Sequence, residues 1–305
     1  MTVTRRRLLQ VMGAGLALAG SRSWASTELN LGSKRLQTLS DGHLLLPGEF
    51  IFGPMDKPDL TSVLAGFGMT SSDQLTPDIN VSLMQDGDNL VLFDVGSGPD
   101  FQSGAGQLVE ALEAAGVAPE DVTHVLFTHC HPDHLWGVLD DFDDPLFSEA
   151  QHLMGQGEWD YWFDPETVHT IASNRTSQAV GARRRMEIIK EQITLFGDGE
   201  EILPGVAARA SFGHSPGHMS FEVRDGNNSV MILGDAVNNH HISFARPGWE
   251  TGADQDPETA AKTRMALLDQ ISHEKMTLIG YHLPEGGIGY AENSGEGYRF
   301  VPASG

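Results

Sequence analysis

Cysteine is almost missing from this chain: Cys130 stands alone among 305 residues. No intramolecular disulfide is possible, so stability must come from packing. Positive charge is also scarce. Nineteen Lys and Arg face 42 Asp and Glu, for a formal net charge of −23. Such a chain repels nucleic acid and anionic membranes, which removes both as natural partners. The acidity itself reads as solubility. No Lys or Arg lies between Lys57 and Arg175. No segment of the mature chain reaches the ~20 apolar residues of a membrane span. Internal repeats and low-complexity tracts are absent too. What is present is 40% hydrophobic residues, enough for a real core, on a length that suits one large domain or two small ones.

The first 25 residues read as a leader. Thr4-Arg5-Arg6-Arg7-Leu8-Leu9-Gln10 matches a twin-arginine export signal, and Ser23-Trp24-Ala25 matches a small-x-small cleavage site. The intervening apolar stretch is too short, and too rich in Gly and Ala, to anchor in a bilayer. A periplasmic protein without a membrane anchor is expected, exported already folded. Residues 26–305 are expected to form a single domain.

The most informative run is Thr128-His129-Cys130-His131-Pro132-Asp133-His134. Neutral imidazoles and carboxylates are ligands for zinc and similar divalent metals. In an extended loop, residues two apart point the same way, so His129 and His131 can grip one ion. Asp133 and His134 are adjacent, diverge, and can reach a second. A His-rich surface loop is the alternative. The same alternation turns Cys130 away from the metal, which makes it a small buried packing residue rather than a thiolate ligand.

The His-x-His-x-Asp-His pattern resembles the signature of the metallo-β-lactamase fold superfamily, and further motifs follow in that family's order. Asp94 ends the apolar run Leu90–Phe93. His214 lies in Gly213-His214-Ser215-Pro216-Gly217-His218, Asp235 follows Leu233-Gly234, and His282 lies in Gly280-Tyr281-His282-Leu283-Pro284. The likeness runs from about residue 35 to 303 and is greatest to the methyl-parathion-hydrolase-like and lactonase-like branch. Glu285-Gly286 depart from that branch, which commonly has an aromatic residue and a proline there.

The resemblance implies an α/β fold, a four-layer αβ/βα sandwich. It also implies a metal set: His129, His131 and His214 for one ion, Asp133, His134 and His282 for another, with Asp235 bridging. The cofactors would be two divalent ions, zinc first, with manganese or iron held by the same donors. The nucleophile would be a metal-bridging hydroxide, with Asp133 as the catalytic residue that takes up or passes on its proton. Asp94 would orient a ligand histidine. His218 is expected to be structural or to support a ligand. His240 and His241 are placed either on the pocket wall or in a plain loop. Phe50, Phe52, Trp136, Trp159, Trp162, Phe244 and Trp249 are candidates for an apolar cleft. His43, His124, His152, His169 and His273 read as structural.

The reading that follows is a dinuclear metallo-hydrolase of small neutral esters, lactones or phosphotriesters. A β-lactamase is the alternative, but that activity on this fold commonly dispenses with an aspartate at the Asp235 position. An iron-dependent oxidoreductase and a non-catalytic metal-binding protein are the others. The oligomeric state is left open, a dimer included.

Periodicity along the chain predicts strand and turn over 35–47, broken at Ser40-Asp41-Gly42, and a long loop over 48–77. A hairpin is predicted over 79–95, a helix over 104–116 and a buried strand over 122–128. Helices are predicted over 157–190, with Arg183-Arg184-Arg185 on a solvated face. Strands follow at 206–212, 219–224 and 229–234, then a helix over 257–271 and strands at 276–280 and 298–302.

Overall fold

The computed structural model describes residues 27–303. The expected leader lies outside these residues. The N-terminal half holds β1 (Glu28–Leu31), β2 (Lys34–His43), a small hairpin of β3 (Leu46–Pro47) and β4 (Gln74–Leu75), β5 (Asp78–Asp86), β6 (Asn89–Phe93), β7 (His124–Phe127), β8 (Gln151–Gly155) and β9 (Ile193–Phe196). Its seven-stranded sheet runs β1-β2-β5-β6-β7-β8-β9. The second seven-stranded sheet takes β10 (Glu201–Leu203), β11 (Val206–Ala210), β12 (Met219–Asp225), β13 (Asn228–Ile232), β14 (Thr277–Ile279), β15 (Ile288–Ser294) and β16 (Gly297–Pro302) in chain order. The helices are α1 (Gly48–Phe52), α2 (Lys57–Ala65), α3 (Leu108–Ala114), α4 (Pro132–Leu135), α5 (Gln156–Phe163), α6 (Thr167–Thr170), α7 (Thr176–Ile189), α8 (Ile242–Ala245) and α9 (Pro257–Glu274).

Alternation along the strands builds the layers. Val91, Phe93 and Leu126 of the first sheet meet Phe221, Val230 and Ile232 of the second in a shared core. Their neighbours Leu92, Val125 and Phe127 face the other way, onto Leu112 of α3 and Ala182 and Met186 of α7. Met231 and Leu278 likewise turn outward onto Leu268 and Ile271 of α9. The order is helix, sheet, sheet, helix, the four-layer αβ/βα sandwich expected from the resemblance.

β6, β7, β8 and β9 pair in parallel, as do β13 and β14. Parallel neighbours need long crossovers, and these return over the outer faces. The loops leaving the strand ends therefore gather along one edge of the sandwich. Asp94 follows β6, the His run follows β7, Asp235 follows β13 and His282 follows β14.

Some predicted elements differ. The 48–77 stretch is not one long loop, since α1 and α2 occupy much of it. Ile51, Phe52, Leu60 and Leu64 bury there against Ile242. Leu60 and Leu64 are a helical i,i+4 pair that the surrounding Gly and Pro obscured. Ser40-Asp41-Gly42 does not break the strand. β2 passes through with a register irregularity, and the buried Asp41 carboxylate accepts from the amides of Ser97, Gly106 and Leu108. Arg185 does not sit on a solvated face. It is buried, lies 4.2 Å over the Trp136 ring and donates to the Trp136 and Gly181 carbonyls. Cys130 is buried, with its thiol 3.7 Å from the Met154 sulfur, as expected of a packing residue.

His152 on β8 is fully buried against the Phe127 ring. Burial pushes its pKa down to about 4. The unfolded chain binds this proton near pH 6.5, so the neutral ring's stabilisation is complete above that pH. It is lost as pH falls toward 4. His152→Phe should therefore lose less stability than the parent between pH 7 and pH 4.5, by about 2 kcal/mol. Denaturant midpoints at the two pH values read the difference. Equal acid sensitivity in both proteins would refute it.

Candidate metal centre

Local backbone geometry aims the donors. Pro132 opens α4 directly after His131, so Asp133 and His134 lie on its single turn. Asp94 sits in the left-handed region at φ 66°. That conformation turns its carboxylate back to accept from the Thr128 amide and hydroxyl at 2.7 Å, and it meets His134 Nδ1 at 2.8 Å. Gly234, at φ 54°, precedes Asp235; a Cβ there would meet His218 Nε2 at 2.7 Å and Thr128 Cβ at 2.9 Å.

The structure brings together all seven sequence-selected donors. His129, His131 and His214 form one group of converging atoms, and Asp133, His134 and His282 form another. Asp235 lies between them. Its Oδ1 is 3.3 Å from His134 Nε2, and its Oδ2 is 3.2 Å from His214 Nε2 and 3.3 Å from His282 Nε2. His129 joins His134 and Asp235 in a third group that crosses the two. All seven side chains are buried.

The donor set fits divalent cations. His131 Nδ1 is 2.9 Å from both His129 Nε2 and His214 Nε2. Burial, reinforced by neighbouring imidazoles, holds His129 and His131 well below the ordinary histidine range, so each ring stays neutral and keeps one lone pair that a cation can use. Asp133 Oδ2, His134 Nε2 and Asp235 Oδ1 are buried without any hydrogen bond, although oppositely charged atoms lie 3.1–3.5 Å away. These atoms point at common volumes rather than at each other. Burial lowers His134 and His282, but Asp235 and Asp133 outweigh it, raising His134 to about 10 and His282 well above its usual range. Metal uptake would displace those protons, so affinity should rise with pH.

Four of the five imidazoles are also held from behind. His134 Nδ1 meets Asp94, His214 Nδ1 meets Asp254 Oδ1 at 3.0 Å, and His282 Nδ1 meets the Asp78 carbonyl at 2.8 Å. His129 Nδ1 lies 3.0 Å from the Thr128 hydroxyl. Tyr281 stacks on His134 at 3.8 Å and donates to the Asp133 carbonyl. Asn80 of β5 donates to the carbonyls of Tyr281 and Leu283, so the first sheet fixes the His282 loop of the second.

A sequence profile of the metallo-beta-lactamase superfamily matches residues 77–282. The chain belongs to this superfamily. Among curated proteins it is 27% identical to the N-acyl homoserine lactonase AttM of Azorhizobium caulinodans, over 41% of this chain and 44% of that one. It is 25% identical to an N-acyl homoserine lactonase of Bacillus thuringiensis, over 58% of this chain and 62% of that one. The chain thus spans less than two thirds of the length of these curated relatives. The solved AidC, a dizinc quorum-quenching lactonase, superposes with a TM-score of 0.84 at 22% identity, covering 92% of this chain and 98% of AidC. The hydrolase AbOPH gives 0.84 at 25% identity with the same coverage.

Other sequence-selected residues are placed as follows. His218 is not aimed at the donor groups. Its Nδ1 meets the Ser211 hydroxyl, and its Nε2 accepts the Asp235 amide at 3.0 Å. His240 and His241 line a chamber of about 230 Å³ beside the centre, with Phe67 edge-on to both rings. Of the proposed aromatic walls, Phe50 lines the cavity over the donors. Phe52, Trp162 and Phe244 are core instead, because the helices that carry them turn those rings inward.

Glu158 and Asp254 carry functional weight that sequence reasoning missed. Glu158 is buried and accepts from the Cys130 amide, the Trp162 indole, the Ser215 hydroxyl and the Gly217 amide. One carboxylate thus staples the His129–His131 loop to the His214 loop. Asp254 holds His214 and is itself paired with Arg264. Neither lies in a recognisable motif; Glu158 resembles any acidic residue on a helix. Asp254→Asn should weaken metal binding by about tenfold or more, because it removes the charge that orients His214. Competition against a chromophoric chelator measures this, and unchanged affinity would show Asp254 to be irrelevant to the centre.

Proposed function

We propose that this protein is a dinuclear metal-dependent hydrolase of small uncharged esters and lactones, with phosphotriesters as secondary substrates. One observation carries the reading: the buried Asp235 carboxylate lies between the two donor groups, with Oδ1 3.3 Å from His134 Nε2 and Oδ2 3.2 Å from His214 Nε2. His129, His131 and His214 would hold one ion, Asp133, His134 and His282 the other, and Asp235 both. Zinc is the first candidate, with manganese or iron accepted by the same donors. Two such ions supply Lewis acidity, lowering the pKa of water toward ~7 and polarising a carbonyl or phosphoryl oxygen.

The chain's own residues do the rest. Asp133 lines the cavity, 3.1 Å from His282 Nε2, where its carboxylate can receive the proton of the attacking water and deliver it to the leaving oxygen. Leu44, Leu46, Phe50, Ile51 and Phe101 line the same cavity and exclude bulk water. Lactonase names among the curated relatives support the ester and lactone class. The presence of Asp235 argues against the β-lactamase reading.

The metal assignment predicts close to two divalent ions per chain in elemental analysis. Asp235→Ala should lower that content and reduce hydrolysis by at least about a thousandfold, since it removes a ligand common to both groups. Full activity with a single ion would sink the dinuclear assignment.

Substrate charge gives a second test. Among the residues lining the cavity, Arg175 alone carries a fixed positive charge, and its Nη2 already donates to the carbonyls of Gly252 and Ala253. A chain this acidic also repels approaching anions. Neutral esters and lactones should exceed phosphodiesters and glutathione thioesters in kcat/KM by about a hundredfold or more at fixed ionic strength. A preference for the anionic panel would overturn the substrate class and leave the metal assignment standing.

A further inference from the structure

The fifth imidazole, His131, is supported differently from the other four. Its Nδ1 faces His129 and His214, and its Nε2, on the other side of the ring, lies 3.3 Å from Gln255 Nε2. Among the described residues, that amide is the only hydrogen-bond partner of His131 Nε2. Gln255 is half-buried and is itself anchored twice. Its backbone amide donates to the His214 carbonyl at 3.1 Å, and its Oε1 accepts from the Tyr161 hydroxyl at 3.1 Å. Tyr161 lies on α5 one turn beyond Glu158, so the helix that staples the His129–His131 loop to the His214 loop also carries this contact. Asp254 and Gln255 are consecutive: the first holds His214, and the second faces His131.

We propose that Gln255 is the positioning residue of His131: its side-chain carbonyl fixes the ligating tautomer of the ring, and its amide turns over when an ion enters. The inference rests on the metal assignment above and not on the substrate class. A cation held by His129, His131 and His214 takes the lone pair of His131 Nδ1. A neutral imidazole carries one proton, so that proton then sits on Nε2 and needs an acceptor. As the amide stands, its nitrogen faces His131, which suits a ring with its proton on Nδ1 and its lone pair on Nε2. In the ligating ring, two N–H groups would oppose each other. A half-turn of the amide exchanges its oxygen and nitrogen. Oε1 then accepts from His131 Nε2–H, and the amide nitrogen donates to the Tyr161 oxygen. The displaced hydroxyl proton has room in an open cavity of about 620 Å³ that Tyr161 and Gln255 both line.

Two substitutions separate an acceptor at this position from a donor. Gln255→Leu removes both ends of the amide. Gln255→Glu keeps an acceptor and removes the donor. Zinc affinity is read by competition against a chromophoric chelator. The ring N–H of His131 is read in nitrogen–proton correlation spectra of the zinc-loaded protein with labelled histidine. Gln255→Leu should weaken zinc binding by about tenfold or more and speed exchange of the His131 Nε2 proton with water. Gln255→Glu should hold zinc at least as tightly as the parent, with that proton moved downfield by a charge-assisted bond. The proposal is overturned if Gln255→Leu keeps either the parent affinity or the parent proton exchange, or if Gln255→Glu binds zinc as weakly as Gln255→Leu. Should Gln255→Leu fail to fold, the Gln255→Glu spectrum decides: a downfield shift supports the proposal, and an unmoved proton overturns it. A parent that binds no zinc overturns the metal assignment together with this inference. A parent that binds zinc without regard to residue 255 overturns this inference alone.

Discussion

The crowding of buried polar side chains around one small volume is the constraint on which this structure turns. His131 Nδ1 stands 2.9 Å from a ring nitrogen of His129 and from one of His214, shielded from water. The Asp133 and Asp235 carboxylates face His134 and His282 a few ångströms away. Gathering carboxylates and imidazoles away from water costs free energy unless something positive lies among them. Protons on His134 and His282 offset part of it. Divalent cations would offset far more, because one ion satisfies several lone pairs at once.

The rest of the molecule holds that cluster together. The shared core between the sheets fixes the strand ends, and the strand ends fix the loops. Three polar ties then cross between loops: Glu158 joins the His131 and His214 segments, Asn80 joins β5 to the His282 turn, and Tyr281 joins that turn to α4. Each tie spans a large separation in sequence. Each therefore requires both halves of the sandwich to be in place. The precision needed at the site is therefore derived from tertiary structure and not from any one segment.

This explains what the sequence made legible. The His-x-His-x-Asp-His run advertises its chemistry because its residue types are unusual together and its spacing is local. His214, Asp235 and His282 were legible through motif order. Strand alternation was legible in β5, β6, β7, β12 and β13, where apolar and polar residues or turn dipeptides mark the period. β8 and β9 escaped because they are short and flanked by helices. α1 and α2 escaped because Gly and Pro masked an i,i+4 apolar pair. Glu158 and Asp254 were invisible for a different reason. Their importance lies in partners between 28 and 59 residues away for Glu158, and 40 away for Asp254. No local pattern encodes such partners.

Asp94 shows how narrow the tolerance becomes where backbone and site meet. Its left-handed backbone favours Gly and, among L-residues, chiefly Asn and Asp. Of these, only Asp brings an anion to His134, and only a side chain with two oxygens can serve Thr128 and His134 together. Steric and chemical filters thus act independently on one codon and leave a single amino acid. Drift to Asn or Gly would keep the turn and still cost His134 the anion behind it. A descendant that lost Asp94 would have to find that support elsewhere.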